Sequence, residues 1–334
     1  MKLLLKRKKL RQNRLKQRVG NKETYRNFCQ ENKTLPIFMQ DWWLDAVCGK
    51  DWDVIIIEEN NKIIAALPYF IHKKYSFKSI IPPHLTPIGG VWLWYEEGMH
   101  QISRYAHEMQ LMAHIAKEID KLKLDFFFQK FHHTITNWLG FYWNGFKQTT
   151  YYTYRVLNLE NIEEVYSLFH RKTKRIIRLA EEELEITEDI SLEEFYRINA
   201  LTFDRQKIKV PYSESFFINL ASTCKERNAC KLLAAKDKTG RVHAVLMIVF
   251  NEETCYSIVS GADPTLRNSG ATTLLNWHAI QFAHQSGMKE YDFTGSMIEP
   301  IEKFFRHYGA VQTPYFLIEK HYSKLYTLLR SLKK

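Results

Sequence analysis

Apolar positions change period in blocks along this chain, and each change marks an element. Over residues 23–31 and 38–47 they recur every three or four positions. That predicts two helices, the second started by Pro36 and carrying Trp42 and Trp43 into a core. Residues 53–58 and 62–72 are β-rich runs on either side of Asn60 and Asn61, so a hairpin is expected. Residues 79–93 hold Pro82, Pro83, Pro87 and the pair Gly89 and Gly90, which predicts an irregular strand or loop at a bend. Helical spacing returns over 101–122, then come a buried strand at 124–128, a short helix at 134–142 and a strand at 148–157.

The second half repeats this order, with helices at 161–183, 192–203 and 215–226 and a hairpin of 231–236 with 243–250 around Thr239 and Gly240. Residues 255–261 read as a strand closed by Gly261-Ala262-Asp263-Pro264, followed by a polar loop. Behind that loop Ala271, Leu274, Leu275, His278, Ala279 and Phe282 keep helical spacing up to Gly287, and 289–293 resumes as strand. Strand, glycine loop, helix, strand is a crossover unit. Its loop brings free backbone N–H groups and a positive helix end to one spot, which suits a ligand phosphate.

One spelling occurs twice. Gly145-Phe146-Lys147-Gln148-Thr149-Thr150-Tyr151-Tyr152 and Gly309-Ala310-Val311-Gln312-Thr313-Pro314-Tyr315-Phe316 share G-x-x-Q-T-x-Y-[YF] at an offset of 164 residues. Each follows a strand and a short helix, so a duplicated α/β unit is expected. The first copy offers Gly89-Gly90-Val91-Trp92-Leu93-Trp94-Tyr95-Glu96-Glu97-Gly98 where the second has its arginine-glycine loop, and two glutamates repel a phosphate. The expected division is a basic, disordered tail at 1–20, a scaffold and acceptor-side domain at 21–157, and a donor-binding domain at 158–334.

Charge adds less than its total suggests. The formal net charge is +11, but nine Lys or Arg and no acid lie in residues 1–20; the rest carries 39 basic against 37 acidic residues. The body is nearly neutral, and the tail reads either as a disordered leader or as a segment touching RNA or anionic lipid. Five cysteines without a C-x-x-C pair argue against disulfides and zinc and for a reducing cytoplasm. The longest apolar run, 63–71, is broken by Pro68 and too short for a transmembrane segment.

The loop Arg267-Asn268-Ser269-Gly270-Ala271-Thr272 resembles the [Q/R]-x-x-G-x-[G/A] donor loop of the GNAT acyltransferase superfamily, with Thr272 in place of the last small residue. Tyr291-Asp292-Phe293-Thr294-Gly295-Ser296 and Phe304-Phe305-Arg306-His307-Tyr308-Gly309-Ala310 are most similar to the Fem-like and CelD/BioF-like branch, whose members carry two GNAT folds. The resemblance implies an α/β fold of two tandem GNAT-like domains, each a mixed central sheet flanked by helices. It also implies an N-acyltransferase that moves an acyl group from acetyl-CoA or another acyl-CoA, without metal, to an amine. The acceptor would be an amino sugar, an amino acid or a cell-envelope precursor, free or nucleotide-linked. A Fem-like transferase fed by aminoacyl-tRNA and a non-catalytic relic used as a binding module are the alternatives.

In that family an amine attacks a carbonyl held between two splayed strands, here 255–261 and 289–295, and a general base assists. Residues 267–272 would hold the donor. Asp292, beside Tyr291, would serve as base or acceptor clamp, or else as a hydrogen-bonded strand-end aspartate. Ser296 and Arg306 would reach an anionic acceptor, although Arg306 suits a solvated helix face equally. Lys172 to Ala180 spells K-x-x-R-x-I-R-x-A, which resembles a basic helix of Fem-like proteins. Arg175 and Arg178 there would meet phosphates of a tRNA or a nucleotide-linked acceptor, with Arg205 lining the same cleft; the other reading is a solvated face paired with Glu181, Glu182 and Glu183. His278 reads as a core histidine, and His132 and His133 have no partner at metal spacing.

Overall fold

The chain enters the structure as a strand, β1 (Lys16–Val19), antiparallel to β2 (Trp52–Glu59) with Lys16 opposite Glu58. The structure, a computed structural model, describes residues 16–19 (backbone only) and 22–332. Residues 16–19 thus belong to a sheet and not to a disordered tail; the remainder of that tail lies outside the described residues.

One unit gathers the chain up to Asn32, Phe38–Thr150 and the stretch from Tyr315 onward. After β1 come α1 (Lys22–Glu31), α2 (Asp41–Cys48), β2, β3 (Lys62–Lys74), β4 (Phe77–Ile80), β5 (Trp92–Leu93), α3 (Gln101–Lys121), β6 (Phe126–Lys130), α4 (Leu139–Tyr142) and the start of β7 (Lys147–Leu157). Asn60 and Asn61 both take positive φ, 52° and 62°, as a two-residue hairpin turn requires. The predicted second helix starts at Asp41 instead of Pro36, because Ile37–Met39 form a separate 3-10 turn. Trp43 is fully buried and its indole donates to Thr86 Oγ1 at 3.0 Å, so the pair satisfies both its area and its polar atom.

The other unit is Lys33–Ile37 with Tyr151–Pro314. It holds α5 (Ile162–Ser167), α6 (Arg171–Glu183), β8 (Leu184–Thr187), α7 (Leu192–Arg205), α8 (Glu214–Glu226), β9 (Cys230–Asp237), β10 (Val242–Phe250), β11 (Thr254–Ala262), α9 (Ala271–Gln285), β12 (Glu290–Asp292), α10 (Glu299–Arg306) and the start of β13 (Val311–His321). The last helix, α11 (Lys324–Ser331), belongs to the first unit. The helix expected at 161–183 is two, broken where the His170 amide donates to His307 O at 2.9 Å and the His170 ring caps α6. Strand β8 has no counterpart in the sequence reading: four residues directly after a helix carry too little period to be seen, and only pairing with β9 makes them a strand.

Both units build the same mixed sheet. β1-β2-β3-β4-β6-β13 and β8-β9-β10-β11-β12-β7 each contain one parallel pair, β4–β6 and β11–β12, among antiparallel neighbours. The offset of 164 holds to the residue: Arg155 faces Asp292 in one sheet, and Glu319 faces Phe128 in the other. In each sheet the closing strand is therefore drawn from the other copy's sequence. Strand pairing is backbone chemistry, so duplicated strands of equal register accept either partner. Within the second unit Ala244, Leu246 and Ile248 of β10 join α9 in one core, while Val245, Met247 and Val249 are buried on the opposite face. Among the described residues no helix is long and apolar enough to cross a membrane.

Candidate active site

Strands β11 and β12 form a fork. They pair in parallel only at Thr254–Glu290, Cys255–Tyr291 and Tyr256–Asp292, after which β11 continues alongside β10 to Ala262 while β12 ends. Thr294 and Gly295 turn the chain away with φ of 58° and 78°, and a Cβ on Gly295 would lie 2.5 Å from Tyr152 O. Thr294 Oγ1 donates to Ser257 O at 2.7 Å and pins the crotch of the fork. The β10–β11 register slips between Met247 and Ile248, leaving Ile258 as an extra residue on β11 just beyond it.

The loop that follows is ordered by its own polar atoms, with Asp263 Oδ1 accepting from the Thr265 amide and hydroxyl at 2.8 and 2.6 Å. Arg267–Ser269 make one 3-10 turn, and Gly270, with φ 79°, starts α9. No side chain caps this helix, whereas Asn161, His170, Ser191 and Ser213 cap α5, α6, α7 and α8. Ser269 Oγ accepts from the Ala271 amide at 3.4 Å and Gly270 O from the Thr273 amide at 2.9 Å, which leaves the Thr272 amide for an external anion. A Cβ on Gly270 would meet Ile176 Cγ2 at 2.7 Å, so only glycine lets the loop rest on α6. Sequence reasoning treated loop and basic helix separately; the fold packs them together.

Arg267, Asn268, Arg175 and Arg178 are exposed, Ser269, Gly270 and Thr272 half-buried, and Ala271 buried, so that Ala271 can offer only backbone. Among the described residues no ion pair engages Arg171, Lys172, Arg175, Arg178 or Arg267, and none joins α6 to Glu181, Glu182 or Glu183. The cations next to the loop are unneutralised. That is what a polyanion site requires.

Asp292 and Tyr291 diverge, because successive strand residues face opposite sides. Tyr291 enters the α9 core, fully buried, its hydroxyl donating to Asn276 Oδ1 at 2.9 Å. Asp292, also fully buried, takes the other face. Its Oδ1 accepts from the Thr153 hydroxyl and, at 2.7 Å, from the Thr294 amide; its Oδ2 is buried without a partner. Burial above all, with nearby Glu290 adding, pushes this carboxyl from 3.8 up to about 6 against the opposing Thr153, Thr294 and Arg155. Arg155 pairs with Glu290, yet its Nε is likewise buried and unpaired. This network was missed in the sequence, although the i, i+2 acids Glu290 and Asp292 on one strand face were a signal for it.

The remaining candidates scatter. Ser296 Oγ accepts from the Ile298 amide at 3.0 Å, a local turn. Arg306 pairs with Glu302 at 2.8 Å, and Glu302 accepts from Tyr154 OH at 3.0 Å. Arg205 is exposed at the end of α7, with no hydrogen bond or ion pair to the loop among the described residues. His278 is half-buried, and burial lowers its proton affinity, as suits a core-edge histidine. Among the described residues no cluster of His, Cys, Asp and Glu has the geometry to hold a metal.

Known proteins place this architecture. The profile described as acetyltransferase (GNAT) domain matches residues 168–305, which include the fork, the loop and α6. FemX is similar at TM-score 0.63 and 13% identity, over 86% of this chain and 95% of that one. A tandem GNAT protein from the clavulanic acid biosynthesis pathway is similar at 0.51 and 10%, over 92% and 98%. The C-terminal domain of a putative lysylphosphatidylglycerol synthetase from Agrobacterium fabrum is similar at 0.55 and 11%, over 88% and 92%. No curated protein matches at the sequence level. Residues 168–305 thus match a GNAT acetyltransferase domain, and the fold along the chain is that of FemX and of a tandem GNAT protein.

Proposed function

We propose that this protein is an N-acyltransferase that takes an acyl group from acyl-CoA and delivers it to an amine, on a small or nucleotide-linked acceptor such as a cell-envelope precursor. The observation that carries the reading is the uncapped, glycine-started α9 behind the β11–β12 fork, flanked by unpaired cations. The residues fit the donor: Gly270 lets the loop lie close on α6, and Arg267, Asn268, Ser269, Gly270 and Thr272 supply exposed and half-buried backbone beside an arginine. When bound, acyl-CoA supplies a thioester carbonyl open to attack by an amine. The part of β11 that β12 leaves after Tyr256, short of Ala262 whose amide donates to Thr202, orients that carbonyl and donates an N–H to the developing oxyanion. Asp292 uses Oδ1 to hold the Thr294 turn against Thr153 of β7 and Oδ2 to receive the amine proton, while the C–S bond breaks and coenzyme A leaves as its thiolate; this role makes turnover rise with pH through about 6. Tyr291 packs, and positions β12 through Asn276. Free thiols at all five cysteines suit a reducing cytoplasm.

A second reading has one observation in its favour. Arg171, Lys172, Arg175 and Arg178 line an exposed face of α6 without ion-pair partners, a surface suited to an aminoacyl-tRNA donor. Titration calorimetry with acetyl-CoA and, separately, with aminoacyl-tRNA decides between them. Saturable acetyl-CoA binding that Arg267→Ala weakens supports the first reading, and binding of aminoacyl-tRNA alone supports the second. Silence from both donors makes the fold a non-catalytic binding module and ends the transferase reading.

A further inference from the structure

The last helix of the chain is built inside out. Tyr326 and Arg330 of α11 turn toward the first unit's sheet: the Tyr326 ring lies 5.1 Å from Phe77 and 5.8 Å from Phe126, and the Arg330 guanidinium lies 4.0 Å above Phe126. Thr327, on the same side, meets His321 Nδ1 at 2.9 Å. The leucines face water instead, with Leu325 59%, Leu328 57%, Leu329 42% and Leu332 75% exposed. Positions 325, 328, 329 and 332 form one helical stripe, the kind a globular protein normally buries. Residues 323–334 contain Lys324, Arg330, Lys333 and Lys334 and no acid.

A second feature adjoins it. The turn from β3 to β4 carries Lys73, Lys74 and Tyr75, all exposed, and Tyr75 at its tip is 89% exposed with φ 54°. Phe77, two residues on, is the ring that touches Tyr326, so the lysine-rich tip and the leucine stripe border one surface. Apolar side chains in a stripe, a projecting tyrosine and surrounding cations are the composition of an interfacial anchor.

We propose that α11 and the Tyr75 turn seat the protein on an anionic bilayer surface. The leucines enter the boundary between headgroups and acyl chains, while Lys73, Lys74 and Lys324 meet lipid phosphates. Eight residues cannot span a bilayer, so the helix lies in the plane of the interface. A second copy is the poorer occupant, because a two-fold contact through this stripe brings the exposed Lys324 of both copies, with the lysines of the adjoining turn, onto one small patch. The inference rests on this surface alone and stands or falls independently of the transferase reading.

Flotation of the full chain with vesicles tests it, using phosphatidylcholine with and without phosphatidylglycerol. Expected are co-flotation with the anionic vesicles, weakening in high salt, and a loss of about tenfold in partitioning for Leu325→Gln/Leu328→Gln/Leu329→Gln. That triple variant should keep its circular dichroism and thermal midpoint. Tyr75→Ser, outside the helix itself, should lower partitioning on its own. Failure of the full chain to float overturns the proposal. So does undiminished flotation of the triple variant, which retains the basic leader and would then be held by charge alone. A concentration-dependent dimer that the leucine changes abolish, without flotation, assigns the stripe to a second copy and equally overturns it.

Discussion

Replacing Asp292 with asparagine isolates the energetics of the fork. The carboxyl is fully buried, and its proton affinity is raised from 3.8 to about 6 because the charged form loses water and gains no partner at Oδ2. A carboxyl raised in the folded state lends stability in its protonated form. That contribution is full below pH 3.8 and is lost as pH climbs past about 6. At about 1.4 kcal/mol per tenfold change in proton affinity, it amounts to about 3 kcal/mol. Asparagine keeps an acceptor for Thr153 and Thr294 but cannot ionise, so the variant lacks this decline. Its stability relative to the unchanged chain should therefore rise by about 2.5 kcal/mol between pH 4 and pH 8, the first part of the change falling below pH 4. Any constant cost of the unpaired amide cancels from that difference, as do titrations of His307 and His321, which both proteins share. Urea unfolding of both proteins at one-pH-unit intervals measures it. Curves that run parallel from pH 4 to pH 8 would show that Asp292 ionises normally, and the proton-accepting role would go with its perturbed affinity.

Gly270→Ala places a Cβ 2.7 Å from Ile176 Cγ2 at a φ of 79°. It should cost about 1–3 kcal/mol and weaken acetyl-CoA binding, whereas Gly89→Ala, with open space at its Cβ, should stay within about 0.5 kcal/mol by thermal unfolding. Arg155→Met leaves buried Glu290 without its cation and should cost about 3–5 kcal/mol in urea titration; adding Glu290→Gln should recover much of that. Arg175→Ala/Arg178→Ala removes two unpaired surface cations, so stability should hold within about 0.5 kcal/mol. If α6 reads tRNA, filter binding across a salt series should show a slope shallower by about two; an unchanged slope removes α6 from any polyanion site.

Much of the fold was legible because it is local. Asn60 and Asn61 announce a turn whose positive φ values few other residues tolerate, and the spacing behind the donor loop marks α9 as a helix; its burial runs beyond the expected stripe, because Thr273, Asn276, Trp277 and Ile280 are buried as well while His278 and Phe282 are half-buried. The octets at Gly145 and Gly309 are one structural event written twice, each glycine at positive φ between a short helix and the strand after it. Their side chains nevertheless differ in use: Gln148 donates to Thr150 Oγ1 and Gln312 to Tyr154 OH, which identical spelling cannot tell apart. The candidate site was legible in its loop and not in its acid. Strand alternation says that Tyr291 and Asp292 part company, but which of them joins the core depends on where α9 packs.

By itself, then, the amino-acid order determined the succession of helices and strands, the duplication, and the glycine that opens α9, all consequences of backbone preference and short-range periodicity. Tertiary structure alone decided that β7 and β13 trade sheets, that α6 backs the donor loop through Ile176, that Asp292 keeps an unpaired oxygen, and that α11 turns its leucines outward. Each of these depends on residues far apart in the chain meeting in space. No window of neighbouring residues records the solvent, the charges or the strand partners that such a meeting brings.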